Sequence, residues 1–138
     1  MMGRLLFSLI AGLIAAALML ALAETALPTL WPAYAEAAPT KDYSLAMLLV
    51  RLTTGAGIVV VAAYLATTTD TGNYQSGWIL GALFLAISIP IHVIEWPDFP
   101  VWYHVLYLGY LVPLGALGGW LASRRLRQAS LPAKSKQN

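Results

Sequence analysis

The chain contains no cysteine, and Lys, Arg, Asp and Glu together make up only 10% of its 138 residues. The absence of cysteine excludes disulfides, thiolate metal sites and thiol nucleophiles. A soluble domain of this size would carry roughly a quarter charged residues. The net charge of +2 is too small to indicate nucleic-acid binding. Because 59% of the residues are hydrophobic and the mean hydropathy is +0.71, the composition indicates a single small domain in lipid.

Four apolar runs are each long enough to cross a hydrocarbon core of about 30 Å, which needs about 20 helical residues. They cover residues 5–23, 45–66, 77–94 and 101–122. Lipid offers no hydrogen bonds, so each run must satisfy its own backbone as a helix. Short connections make consecutive helices antiparallel neighbours. The sequence therefore predicts an all-α fold, a four-transmembrane-helix antiparallel bundle in residues 1–122.

The distribution of positive charge predicts the orientation of this bundle. Basic residues precede the first span and follow the last, whereas the loops after the first and third spans are mainly acidic. The basic set is Arg4, Arg124, Arg125, Arg127, Lys134 and Lys136, and the acidic set includes Glu36, Asp42, Glu95 and Asp98. Both termini are thus expected to be cytoplasmic, in the inner membrane of a bacterium. The basic tail, residues 123–138, is expected to be disordered and to lie on anionic lipid.

The first apolar run has a second interpretation. Ala21, Leu22 and Ala23 before Glu24 resemble the cleavage site of a secretory signal peptide. However, the run is longer than the usual signal core of about 7–15 residues, and apolar character resumes at Ala26. Retention as a helix is the favoured interpretation, and cleavage is the alternative.

Arg51 lies inside the second predicted span and Glu24 directly follows the first, at a depth where an ionisable side chain is costly and usually functional. Each lies about two helical turns below an aromatic residue that marks the interface, Trp31 for Glu24 and Tyr43 for Arg51. Opposite charges at matching depth on consecutive helices predict an ion pair. The alternative is that Arg51 extends to the headgroups while Glu24 reaches water.

Small residues recur on one face of the third and fourth spans. Gly77 and Gly81 in the third, and Gly115 and Gly119 in the fourth, have the spacing that lets helix backbones approach closely. Pro90 and Pro113 interrupt the same two spans. They are expected either to open a small polar cavity or only to fit the helices together.

His92, Glu95, Asp98 and His104 form a predicted polar cluster on the outer side, around the connection between the third and fourth spans. Imidazole and carboxylate groups suit a transition metal, and two facing histidines also suit haem. The competing interpretation is that each histidine forms a hydrogen bond with a neighbouring helix.

The segment Phe99-Pro100-Val101-Trp102-Tyr103-His104 resembles a hairpin of small four-helix bacterial integral membrane proteins of unknown activity. The Trp31-Pro32-Ala33-Tyr34 segment is similar to the same group. The resemblance implies four spans and retention of the first, and it implies no chemistry.

No nucleophile–base pair, phosphate-binding loop or HExxH spacing occurs. The leading hypothesis is a non-enzymatic multi-pass membrane protein without a cofactor, which acts through contacts with itself or a membrane partner. A second hypothesis is metal or haem binding by His92 and His104. A third is a small transporter or proton-conducting subunit that uses Glu24 and Arg51.

Overall fold

The computed structural model describes residues 2–130, and every regular element within them is a helix. The elements are α1 (Met2–Leu30), α2 (Pro32–Ala37), α3 (Leu45–Thr69), α4 (Gln75–Ile94), a 3₁₀ turn (Trp96–Asp98) and α5 (Val101–Ala129). α1, α3, α4 and α5 are each long and apolar enough to cross a membrane. The prediction of an all-helical chain with four such helices is confirmed.

All four long helices extend beyond their predicted bounds, and α1 and α5 extend the furthest. α1 extends without interruption through Ala21–Ala23 to Leu30. α5 continues to Ala129, so the prediction of disorder is wrong for residues 123–129. Arg and Leu are good helix formers, and the side chain of Leu126 lies beside Gly72 in the turn between α3 and α4. The rest of the tail, residues 131–138 with Lys134 and Lys136, lies outside the described residues.

The turn between α3 and α4 is closed by polar contacts. Thr71 and Gly72 both have positive φ, 56° and 86°, a conformation that glycine adopts without strain. The Ser76 hydroxyl donates a buried hydrogen bond of 2.6 Å to the carboxylate of Asp70. This bond joins the end of α3 to the first turn of α4.

α4 and α5 are in backbone contact through the four predicted glycines. A Cβ atom at Gly77 would lie 2.8 Å from the Cα of Gly119. A Cβ at Gly115 would lie 2.7 Å from the carbonyl oxygen of Gly77 and 2.8 Å from the Cα of Gly81. Any side chain at these positions would separate the helices, so the glycines set the distance between α4 and α5. Pro90 and Pro113 lie inside these two helices, which continue past them.

α1 packs mainly on α3 and touches α4 over a shorter stretch. A Cβ at Gly12 would lie 2.7 Å from a methyl of Leu80 and 3.1 Å from the Cβ of Ala66. The core around this contact consists of alanines of α1 and α3 together with one leucine each from α1 and α4: Leu9, Ala16, Ala62, Ala63, Ala66 and Leu80.

Aromatic side chains gather at the end of the bundle where α2 and the 3₁₀ turn lie. Tyr34 contacts Tyr43 with ring centroids 5.1 Å apart, and Tyr43 stacks on Phe99 at 6.0 Å. We call this group, with Trp96 and Tyr103, the aromatic cap. It covers the start of α3, the end of α4 and the start of α5.

Candidate functional site

His92 and His104 meet directly under the aromatic cap. His92 is in the last turn of α4 and His104 in the first turn of α5, and their Nδ1 atoms are 2.7 Å apart. Both side chains are buried. One Nδ1 must therefore donate a hydrogen bond to the other, which fixes complementary tautomers on the two rings. Trp96 stacks on His104 with centroids 4.5 Å apart, and Tyr107 lies 4.6 Å from His92.

The other two members of the predicted polar cluster are engaged elsewhere. Lys41 donates to Glu95 at 3.3 Å and to Asp98 at 2.7 Å. Within residues 2–130, no three His, Asp or Glu side chains are grouped so as to hold a metal ion. The histidine nitrogens are also closer than the roughly 3.3 Å that would separate two ligands on a tetrahedral zinc. The cluster is thus divided into a histidine pair and an ion-paired hairpin, and metal or haem binding stays a prediction.

Lys41 joins the linker before α3 to the hairpin before α5. Its hydrogen bond with Asp98 raises the pKa of the Lys41 ammonium, although partial desolvation opposes the shift. Its backbone has a φ of 57°, which is unusual for a residue other than glycine. The ion pairs therefore connect a linker residue of unusual backbone conformation to the hairpin.

Arg51 and Glu24 lie side by side, with 3.6 Å between Nη1 and Oε1. Arg51 also donates a hydrogen bond of 2.5 Å to the hydroxyl of Tyr34, which is 1% exposed. The ring of Tyr43 lies 5.1 Å from the guanidinium carbon, a cation–π distance. The guanidinium is therefore held by α1, α2 and the linker before α3. From the sequence, Tyr43 was only an interface marker, and Tyr34 had no predicted contact.

A small polar cavity of about 50 Å³ adjoins this pair. It opens beside an apolar cavity of about 270 Å³ between α1, α3, α4 and α5. Leu20, Gly55 and Tyr107 line both, so the two cavities form one cleft with a polar end and an apolar end. We call it the α1–α4 cleft.

Two residues that line the cleft carry a hydrogen-bonding group without a partner among the described residues. The Nε of Arg51 is buried and unpaired. Tyr107 also lines the cleft, and its hydroxyl makes no hydrogen bond with residues 2–130. Tyr107 was not among the residues predicted to form a site. The signal was present in the sequence, because Tyr103, Tyr107 and Tyr110 recur at intervals of four and three on one face of α5.

Comparisons with known protein families, with curated proteins and with solved structures find no match to this chain.

Proposed function

We propose that this chain is a multi-pass protein of the bacterial inner membrane, with α1, α3, α4 and α5 as its spans. The outward faces of these helices support the proposal, because they carry large apolar side chains that residues 2–130 leave exposed. On α1 such residues follow one another every three or four positions: Phe7, Ile10, Ile14, Leu18 and Leu22. An apolar surface of this extent is stable in lipid and not in water.

We further propose an antiparallel bundle with both termini in the cytoplasm. The support is the charge pattern along the chain: Arg4 precedes most of α1, Arg124, Arg125 and Arg127 are in the last turns of α5, and Glu36, Glu95 and Asp98 lie in the connections after α1 and α4. At the basic end, Arg124 lies over the ring of Trp120 at 5.2 Å, and both line a groove of about 370 Å³ with Arg127. This groove suits the phosphate of an anionic lipid, the partner expected from the basic tail.

Cysteine labelling tests the orientation, since the natural chain has no cysteine to interfere. Thr40→Cys should react with a membrane-impermeant maleimide in intact cells. Thr71→Cys and Gln128→Cys should react only after the membrane is permeabilised. The reverse pattern, or labelling of all three in intact cells, would refute the proposed orientation.

Within the membrane, the proposed role is to bind a partner molecule without catalysing a reaction. The α1–α4 cleft is the observation that carries this role. α4 and α5 are in close contact through their glycines, whereas α1 separates from α4 beyond the Gly12–Leu80 contact and leaves a space lined by both helices. A mostly apolar cleft with a few polar groups is the usual form of a binding site.

Native mass spectrometry of the protein released from its own membrane tests this role. A bound second protein, a second copy of the chain or a retained small molecule would each add mass to the monomer. We expect such an adduct to survive mild release and to disappear on unfolding. A bare monomer under the gentlest release conditions would contradict the proposal.

A further inference from the structure

Two polar grooves adjoin the last turns of α5. The first, of about 370 Å³, runs along one face of the helix, and its walls include Tyr74, Trp120, Ser123, Arg124 and Arg127. The second, of about 470 Å³, adjoins the turn between α3 and α4, and its walls include Thr71, Gly72, Ser123, Arg127 and Ser130. Because Ser123 and Arg127 line both, the two grooves meet at one turn of α5. We call them the α5 grooves.

The α5 grooves are positively charged, and no acidic side chain offsets the charge. Arg124 and Arg127 are exposed, and neither forms a salt bridge within residues 2–130. The described residues that line the grooves include no Asp or Glu. Arg125 lines neither groove and donates a hydrogen bond of 3.2 Å to the hydroxyl of Tyr64 on α3. Two guanidinium groups are therefore accessible to an anion.

The position of the grooves along α5 matches the depth of lipid phosphates in the proposed membrane arrangement. Trp120 is 48% exposed, and an exposed tryptophan near the end of a span lies at the edge of the hydrocarbon. Arg124 lies about 6 Å beyond Trp120 along the helix axis, and Arg127 about 10 Å beyond it. The polar layer on each side of the hydrocarbon is about 5–8 Å thick. Since Trp120 is a wall of the first groove, the phosphate that fits there is that of a lipid.

Two joined grooves with two arginines suit a lipid with two phosphates. Arg124 lines the first groove only and Arg127 lines both, so a phosphate in either groove has an arginine beside it. The two residues are three positions apart on one helix face, with about 5–6 Å between their Cβ atoms. A guanidinium forms paired hydrogen bonds with one phosphate. Two phosphodiesters joined by a single glycerol bridge a similar distance, and their two negative charges balance the two arginines.

We propose that the α5 grooves bind the headgroup of one diphosphatidylglycerol (cardiolipin) molecule. One phosphate lies in the first groove beside Arg124, and the other lies in the second groove beside Arg127. The acyl chains lie next to Trp120 along the outward face of α5, where Leu117 and Leu121 are exposed. This inference rests on the proposed function, in which α5 spans the membrane, and it gives the anionic lipid at this end a headgroup and a stoichiometry.

Native mass spectrometry of the full chain, titrated with lipid in dodecyl maltoside micelles, tests the inference. The probes are tetraoleoyl cardiolipin and dioleoyl phosphatidylglycerol, compared at equal phosphate concentration, with dioleoyl phosphatidylcholine as the zwitterionic control. We expect one cardiolipin per chain, with a Kd roughly tenfold below that of phosphatidylglycerol, the effect of a second charge-assisted contact. Equal affinity for the two anionic lipids would overturn the inference, because it indicates a site for a single phosphate.

Three variants locate the headgroup. Arg124→Gln and Arg127→Gln each remove one contact with a phosphate, and each should weaken cardiolipin binding roughly tenfold. Arg125→Gln is the matched control, since it removes the same charge from the same turn but from a side chain that binds Tyr64. It should bind cardiolipin as wild type does. An equal loss in all three variants would overturn the inference, because net charge alone would then explain the attraction.

The α1–α4 cleft provides a control that separates this lipid site from the proposed binding role. Ser88→Phe fills the cleft, so it should release a molecule held there and leave cardiolipin binding unchanged. Arg127→Gln should do the reverse. If Arg127→Gln binds cardiolipin as wild type does while Ser88→Phe still releases a bound molecule, only the lipid site is refuted. If the protein from its own membrane is a bare monomer and the arginine variants lose added cardiolipin, the lipid site stands and the binding role fails.

Discussion

Four of the polar side chains inside the apolar helices of this protein bind one another in pairs. Arg51 has Tyr34 and Glu24, and His92 has His104. A buried polar group without a partner costs about 1–3 kcal/mol. Removing one member of a pair leaves the other buried without a partner. The loss in the free energy of unfolding is therefore expected to exceed the contribution of the contacts that the removed side chain made.

The histidine pair gives a prediction at this scale. His92→Ala leaves the buried Nδ1 of His104 without its partner, and we expect a loss of about 1–3 kcal/mol in the free energy of unfolding. His92→Asn keeps a hydrogen-bonding group and should lose less. Unfolding by sodium dodecyl sulfate in mixed micelles measures both.

The same preparations distinguish a hydrogen-bonded pair from a metal or haem site. Elemental analysis and a visible spectrum of wild type and of a His92→Ala/His104→Ala variant should be alike, without stoichiometric metal or a haem band. Metal or a haem band present in wild type and lost in the variant would instead make the histidines ligands.

The contact between α4 and α5 leaves no room for added side-chain volume at its glycines. Gly115→Ala places a methyl 2.7 Å from the carbonyl oxygen of Gly77, where only backbone can move. We expect about 1–3 kcal/mol of destabilisation, typical of overpacking. Gly109→Ala is the matched control, because a Cβ there meets no atom within 4 Å. It should be neutral or slightly stabilising in the same unfolding assay, and an equal loss in both variants would contradict the close contact.

We expect the ion pairs of Lys41 to restrict the mobility of the linker between α2 and α3. The pKa of Lys41 is raised in the folded protein, so the contribution of its ion pairs is fully present below the unfolded value of about 10.5 and is lost as the pH rises through the higher folded value. A nitroxide at Thr40→Cys should become more mobile over that pH range. With Lys41→Gln it should be mobile at neutral pH and show no such transition.

A nitroxide at Thr71→Cys is the control for this experiment, since it lies in the turn between α3 and α4. Its mobility should be the same whether or not the chain also carries the Lys41→Gln change. Identical Thr40→Cys spectra with and without that change would show that the ion pairs do not hold the linker.

The elements themselves were largely predictable, because four long apolar runs in a sequence have few alternatives to helices. Small-residue spacing anticipated the faces on which Gly77 and Gly115 meet, since periodicity fixes which residues share a face. Periodicity does not say how far α1 diverges from α4, so the cleft could not be predicted. Nor could it show that Lys41, in a loop, would take Glu95 and Asp98 away from His92.

At the scale of the whole molecule, tryptophans lie near both ends of the long helices. The rise of 1.5 Å per residue places Trp102 and Trp120 about 27 Å apart along α5. Trp78 is near the start of α4, Trp96 follows its end, and all four side chains are exposed. In the proposed membrane arrangement they form two belts whose separation is close to a hydrocarbon core of about 30 Å.

This arrangement predicts where lipid quenches tryptophan fluorescence. In vesicles, bromine atoms placed near the headgroup should quench more strongly than bromine atoms near the end of the acyl chain, because every exposed indole lies at an interface. Replacing Trp31, Trp96 and Trp102 by Phe leaves Trp78 and Trp120, which report on the other belt alone. Stronger quenching from the chain end in that variant would place the belt inside the hydrocarbon and shift the ends of the spans in α4 and α5.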